Sequence, residues 1–176
     1  MKSDYWILKV FLFTFFISLI IGGATSYISN NTHLIIIIII TILISIIGII
    51  FDMIGTSILT ANEANFHSMA SYKVKGSKES IKLIKNKSAI ASFCNDVIGD
   101  ICGIISGSMG AIIAINLAQI LKIDNTITSL LIASIISSLT IGGKAIGKNI
   151  ATRKSDNIIL LVGQIINTFK FKKREK

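Results

Sequence analysis

The chain has 176 residues, of which 52% are hydrophobic and only 15% are charged, and its mean hydropathy is +0.74. This composition excludes an ordinary soluble domain, and with it a soluble enzyme, and indicates an integral membrane protein. A net charge of +9 would suggest a nucleic-acid partner in a soluble protein, but here the basic residues flank apolar segments. The arrangement instead predicts contact with the lipid bilayer and no nucleic-acid partner.

Four apolar segments are long enough to cross a bilayer, for which about 20 residues suffice. The first, residues 6–28, is too long for the apolar part of a typical signal peptide, so an uncleaved span is predicted. The other three cover about residues 34–59, 89–121 and 126–146. The sequence therefore predicts an all-α polytopic membrane protein with about four transmembrane helices.

Two further stretches predict amphipathic helices at the membrane interface. After the second span the chain becomes polar and rich in lysine, and Gly76 with Ser77 predicts a break between two short helices. Residues 78–86 carry Ile81, Leu83 and Ile84 among lysines, which is typical of an interfacial helix. In the tail, Ser155 and Asp156 predict the start of another amphipathic helix that lies in the plane of the interface.

The basic residues predict the topology. Apart from Lys122, they lie at the N-terminus, within residues 73–87, and from Lys144 onward. The positive-inside rule then places both termini in the cytoplasm of a multi-pass protein of the cell (inner) membrane. We expect three parts: residues 1–33 as an extra N-terminal transmembrane helix with its outer link, residues 34–154 as the transmembrane core, and residues 155–176 as a juxtamembrane helix with a basic tail.

The third predicted span contains two acidic residues that an apolar membrane helix does not need. Asp96 and Asp100 are four residues apart, so on a helix they share one face, and Asn95 adjoins them. Carboxylates within hydrocarbon are costly, and they usually face an opposite charge, a water-filled cavity or a cation path. The sequence leaves open which of these the two acids face.

In the predicted topology, polar groups gather at the inner ends of three spans, and oxygen ligands gathered in this way suit a hard cation such as magnesium. The glycine pair at positions 142 and 143 is expected to break the last span and expose carbonyl oxygens. The predicted metal ligands are Thr60, Asn95, Asp96, Asp100 and Gly143, and the polar residues nearby are Asp52, Asn62, Glu63 and Lys144.

A second interpretation needs no ion. Lys144 would pair with Asp96 or Asp100 as a buried salt bridge, and the protein would be a structural or regulatory membrane subunit. No catalytic group is predicted in either case, because His33 and His67 are isolated and neither lies in an HExxH motif or in a nucleophile elbow. The protein is therefore not expected to be an enzyme.

Three short motifs occur in order along residues 34–169. Their residues are Thr60, Asn62, Glu63 and Ala64; Ile98, Gly99 and Asp100; and Gly143, Lys144, Gly147 and Lys148. In that order, they resemble the Glu-x-Ala, Ile-Gly-Asn and Gly-Glu-x-x-Pro-Lys elements in the transmembrane domain of the CorB/CorC and cyclin-M magnesium and cobalt transport proteins.

This resemblance implies divalent cation transport or efflux, a belt helix corresponding to the segment from Ser155, and either a homodimer or a partner that supplies cytosolic regulatory domains. Cytosolic CBS domains follow this region in full-length members of that family, and none is expected in the remaining residues of this sequence. Two departures stand out: lysine replaces the family glutamate at Lys144, and aspartate replaces the family asparagine at Asp100. A charged lysine has no lone pair and would repel magnesium. The two changes together therefore leave open a second alternative, a charge swap in which Lys144 occupies the position of the ion and the relative does not transport.

Overall fold

The structure is a computed structural model. The residues that it describes are 11, 12, 15, 16, 19, 20, 22–25, 27 and 32–172. The predicted first span, residues 6–28, therefore lies largely outside the described residues.

From residue 32 onward the chain is almost entirely helical, and no strand occurs among the described residues, which confirms the all-α class. The helices are α1 (Leu34–Thr60), α2 (Glu63–Ser71), α3 (Ser77–Lys85), α4 (Lys87–Ser92), a π-helical turn (Phe93–Ile98), α5 (Gly99–Leu121), α6 (Asn125–Arg153) and α7 (Ser155–Lys172). Three helical stretches are long and apolar enough to cross a membrane: Leu34–Thr60, Lys87–Leu121 and Asn125–Arg153. The membrane class that composition predicts is thus confirmed.

The ends of the short helices follow local chemistry. The Asn62 side chain caps α2 by accepting a hydrogen bond from the Ala64 amide at 3.1 Å. After α2, Lys73 adopts a left-handed conformation with φ of 56°, and the Val74 amide donates to the Met69 carbonyl at 3.0 Å. This i to i−5 bond is the Schellman ending of a helix. Gly76, with φ of 86°, then precedes α3, so the predicted break is confirmed.

By packing, the chain divides into two compact units. The first unit contains the described residues up to Ile47 together with Ile101–Thr140. Its core joins Ile37 of α1 to Met109 and Ile113 of α5. In the same unit the hydroxyl oxygens of Ser45 and Ser106 are 3.0 Å apart, so one interhelical hydrogen bond accompanies the apolar packing.

The second unit contains Gly48–Asp100 and the chain from Ile141 onward. Its core consists of Ile58, Phe66, Ile84 and Ile159, which come from α1, α2, α3 and α7. The Asp156 carboxylate, in the first turn of α7, accepts hydrogen bonds from the Asn62 amide at 3.0 Å and from Asn65 Nδ2 at 2.6 Å. These two bonds fix the beginning of α7 against the beginning of α2, and the predicted helix start at position 155 is confirmed.

Helix α6 differs from its prediction. It continues without interruption through Gly142 and Gly143 to Arg153, so the expected break is wrong. The glycines serve packing instead: the space that a Cβ at Gly143 would occupy holds the Ile49 side chain, and at Gly147 the nearest atom, Ile49 Cγ2, is 3.4 Å away. Glycines four residues apart give a helix a flat surface, so α1 and α6 approach closely here without unwinding.

Candidate functional site

Among the described residues of the second unit, Asp52 is the buried acid. It lies in α1 and is only 4% exposed. The nearest cation is the Lys148 ammonium of α6, whose Nζ lies 3.8 Å from Asp52 Oδ2. That distance permits charge attraction but exceeds hydrogen-bond length. Asp52 Oδ2 therefore has no hydrogen-bond partner among the described residues.

Asn95 faces the same stretch of α1 from the π-helical turn. The Gly99 amide donates to the Cys94 carbonyl, an i to i−5 bond that widens the helix at this point. The Asn95 side chain then lies directly over Gly55, and its Oδ1 occupies the place that a Cβ on Gly55 would take. Such π-helical turns are rare and are often found at functional sites.

Asn95 Oδ1 is also buried without a hydrogen-bond partner among the described residues. Because Gly55 follows Asp52 by three positions, the two lie on one face of α1, about one turn apart. The second unit thus contains two buried oxygen atoms without partners among the described residues, a carboxylate oxygen on α1 and an amide oxygen packed against α1 about one turn further along.

These two oxygens are an exception that requires a physical explanation. A buried acceptor left without a partner costs about 1–3 kcal/mol, and most buried polar atoms in folded proteins have one. A carboxylate and an amide oxygen are ligands that hard cations prefer, and Mg²⁺ commonly binds proteins through one or two carboxylates while it keeps several waters. By chemical type, both oxygens could therefore serve as ligands of a partly hydrated divalent cation.

The packing of α6 on α1 brings the positive charge of Lys148 close to the Asp52 carboxylate. Because Gly147 lets α6 approach Ile49 and Met53, the next residue, Lys148, reaches Asp52. The Lys148 side chain is 55% exposed, so its ammonium is free to move towards solvent. Lys144, one turn earlier, points elsewhere: its Nζ lies 3.6 Å from the position of a Cβ on Gly99.

The structure does not bring the two acids of the third span into this site. Asp96 and Asp100 are both exposed, and within the described residues neither lies within ion-pair distance of Lys144. Neighbouring residues on a helix project in different directions, so Asp96 turns outward where Asn95 turns inward. The ion pair found in the second unit near these residues is instead Lys148 with Asp52.

The predicted ligands at the end of α1 have other partners. The Thr60 hydroxyl is exposed and donates to the Thr56 and Ser57 carbonyls at 3.1 and 3.3 Å. Glu63 Oε1 lies 3.3 Å from His67 Nε2, while Asn62 caps α2. The described residues contain no cluster of three or more His, Cys, Asp or Glu side chains able to hold a metal ion.

Of the predicted ligands, Asn95 lies in the site. Asp52, predicted as a polar neighbour of the ligands, also lies in it. Gly143 offers no free carbonyl to an ion, because a continuous helix uses its carbonyls in i to i+4 hydrogen bonds. Its role is close packing instead. Sequence reasoning missed the roles of Gly55 and Lys148. The signals were present: Asp52 and Gly55 one turn apart in an apolar helix, and two glycines four apart just before Lys148.

No protein-family model matches the chain, and no curated protein or solved structure matches it either. The resemblance to the CorB/CorC and cyclin-M transporters therefore remains a prediction from three short motifs.

Proposed function

We propose that this chain is a multi-pass membrane protein that binds and transports a divalent cation, magnesium or cobalt, at Asp52 and Asn95. The observation that carries the proposal is the pair of buried oxygens, Asp52 Oδ2 and Asn95 Oδ1, that have no hydrogen-bond partner among the described residues. The motif resemblance suggests the same class of substrate independently of this geometry.

In this proposal Lys148 is an exchangeable counter-ion. Its ammonium stays near the Asp52 carboxylate when no metal is bound, at 3.8 Å. An arriving dication would repel the ammonium, and the half-exposed side chain would move towards solvent. The metal and the lysine would then occupy the same carboxylate alternately, which avoids leaving a buried charge unpaired.

The test is magnesium flux into liposomes that contain the purified protein and an enclosed magnesium-sensitive dye. Asp52→Asn and Asn95→Ala are expected to reduce flux by about tenfold or more, because each removes one ligand. Asp100→Asn is the matched control, since it removes an exposed acid from the same unit. Loss of flux in Asp100→Asn with retention in Asp52→Asn would place the ion at the motif residues and contradict this site.

Binding is measured separately from transport. A ligand that binds only the folded state raises the unfolding free energy by about 2.7 kcal/mol at a concentration of 100 times Kd. Magnesium should therefore raise the thermal unfolding midpoint of the solubilised protein but not that of Asp52→Asn. An equal rise in both proteins would mean that magnesium binds elsewhere.

A second candidate function is a structural or regulatory subunit through which no ion passes. The observation that favours it is the Lys148–Asp52 ion pair, which takes the place of the predicted pairing of Lys144 with Asp96 or Asp100. Lys148→Met distinguishes the two functions. It should tighten magnesium binding if the lysine competes with the metal, whereas for a structural pair it should only destabilise the fold, and Asp52→Asn in the same molecule should restore stability.

A further inference from the structure

The second unit contains a cavity of about 510 Å³ that is separate from Asp52 and Asn95. It lies between the C-terminal part of α7 and the segment that runs from the end of α2, through the loop, to the first turn of α3. Its volume is within the range of about 300–1,000 Å³ typical of small-molecule sites. The charged residues that line it are Lys73, Lys75, Lys78, Lys170 and Glu79.

The walls of this cavity are set by backbone contacts. Gly76 lies against α7, where a Cβ on Gly76 would be 2.5 Å from the Gln164 amide nitrogen. This contact holds the loop of lysines beside α7. Asn167 and Lys170 follow Gly163 by four and seven positions, so they share its face of α7 and form the opposite wall. The positions of the lysine backbones therefore result from the packing of helices.

The cavity carries an excess of positive charge. Glu79 Oε1 lies 3.8 Å from the Lys170 ammonium, so the one acid of the lining has a partner. Lys73, Lys75 and Lys78 form no ion pair within the described residues. Like charges around a concave surface raise the local potential, and an anion that enters the cavity relieves their repulsion.

The place of the cavity in the chain indicates the source of that anion. Lys73, Lys75 and Lys78 lie between the two stretches Leu34–Thr60 and Lys87–Leu121, which are both able to cross a membrane. A segment that joins two consecutive spans begins and ends at the same face of the bilayer, so the short segment here stays near the membrane surface. Ala70 and Val74 add an apolar part to the lining. Basic pockets in such positions suit the headgroups of anionic lipids.

We propose that this cavity binds the phosphate group of an anionic lipid headgroup, held by Lys73, Lys75 and Lys78. The site is distinct from the proposed cation site in both position and charge. Lipid bound there would hold the basic loop and α7 to the membrane surface.

The experiment measures lipid retained by the purified full chain, using native mass spectrometry after reconstitution in phosphatidylcholine mixed with phosphatidylglycerol. The pocket variant is Lys73→Gln with Lys75→Gln. The matched control is Lys82→Gln with Lys85→Gln, which removes the same charge from α3 outside the cavity. We expect retention of phosphatidylglycerol to fall roughly tenfold or more in the pocket variant and to change less than twofold in the control.

Three outcomes decide the proposal. Preferential loss in the pocket variant, with an unchanged thermal unfolding midpoint, supports it. An equal loss in both variants overturns it, because the binding would then follow net charge alone. In the third arm, inorganic phosphate is titrated into lipid-free protein and its binding is measured by calorimetry. If phosphate binds, Lys73→Gln with Lys75→Gln abolishes that binding, and the wild type retains no lipid, then the occupant is free phosphate and the lipid proposal is overturned.

Discussion

At position 55 the absence of a side chain decides where a neighbouring amide lies. Asn95 Oδ1 fills the space beside the α1 backbone that any other residue would take with its Cβ. The amide is thereby held on the face of α1 that also carries Asp52. One glycine thus supports the geometry of the proposed cation site, although it supplies no ligand itself.

Gly55→Ala is expected to displace the Asn95 amide and to destabilise the fold by about 1–3 kcal/mol, the usual cost of overpacking. Gly103→Ala is the matched control, because among the described residues no atom outside the local backbone of its own helix lies within 4 Å of its Cβ position. It should be neutral or stabilise α5 by about 0.5–1 kcal/mol. Thermal unfolding of both variants measures the difference. Adding Asn95→Ala to Gly55→Ala should recover stability, and a failure to recover it would contradict the direct contact.

Asp124 caps α6 outside the spans. Its Oδ1 accepts hydrogen bonds from the Ile127 amide at 3.2 Å and the Thr126 amide at 2.8 Å. These bonds, that of Ile127 first, hold the pKa of the Asp124 carboxyl below its ordinary value. Because the folded pKa is the lower one, the stabilisation is fully present above the unfolded pKa of ~3.9 and is lost as the pH falls through the folded value.

We therefore expect the unfolding midpoint of the protein to fall on acidification below about pH 4. Asp124→Asn keeps an oxygen acceptor without a titrating group, so its decline over the same range should be smaller. The measurement is thermal unfolding as a function of pH for both proteins. Identical pH profiles would show that Asp124 does not contribute.

At the scale of helices, α7 and the beginning of α3 pack closely because a glycine from each lies at the contact. Gly163 of α7 lies against α3, where a Cβ would be 2.5 Å from the Gly76 carbonyl and 3.1 Å from the Ser80 amide nitrogen. Beside this crossing, Ser80 Oγ donates to the Ile159 carbonyl at 3.0 Å. The two helices therefore touch backbone to backbone, with one buried interhelical hydrogen bond to orient them.

Gly163→Ala is expected to force α7 away from α3, because backbone atoms move less readily than the end of a side chain. A loss of about 1–3 kcal/mol in unfolding free energy should follow. Gly142→Ala, which meets nothing within 4 Å among the described residues, is the control and should leave stability unchanged or raised. The same change in both variants would argue against the close crossing.

At the scale of the molecule, charge distribution predicts orientation. The lysines and arginines fall at the N-terminus, in residues 73–87 and from residue 144 onward, with Lys122 as the exception. Of the three described stretches able to cross a membrane, the first two enclose the basic segment and the last two enclose the short turn before Asn125. From this distribution the positive-inside rule predicts that the basic segment lies in the cytoplasm and the short turn outside.

Labelling of single cysteines tests this orientation in intact cells. In a protein whose own Cys94 and Cys102 are replaced by alanine, a membrane-impermeant maleimide should label Asn125→Cys directly. It should label Lys85→Cys only after the membrane is disrupted. Direct labelling of Lys85→Cys would reverse the predicted topology.

Hydropathy and the spacing of charges were sufficient to predict the all-α membrane class, three described spans, the break at Gly76 and the helix that starts at Ser155. Each of these depends on the solvent around a segment or on chemistry within one turn. The partners of the polar residues were not predictable in this way. The sequence indicated Asp96, Asp100 and Lys144, whereas packing brought together Asp52, Asn95 and Lys148. Which faces meet depends on where glycines let helices approach and on the register that the π-helical turn sets, and both are properties of helices packed in three dimensions.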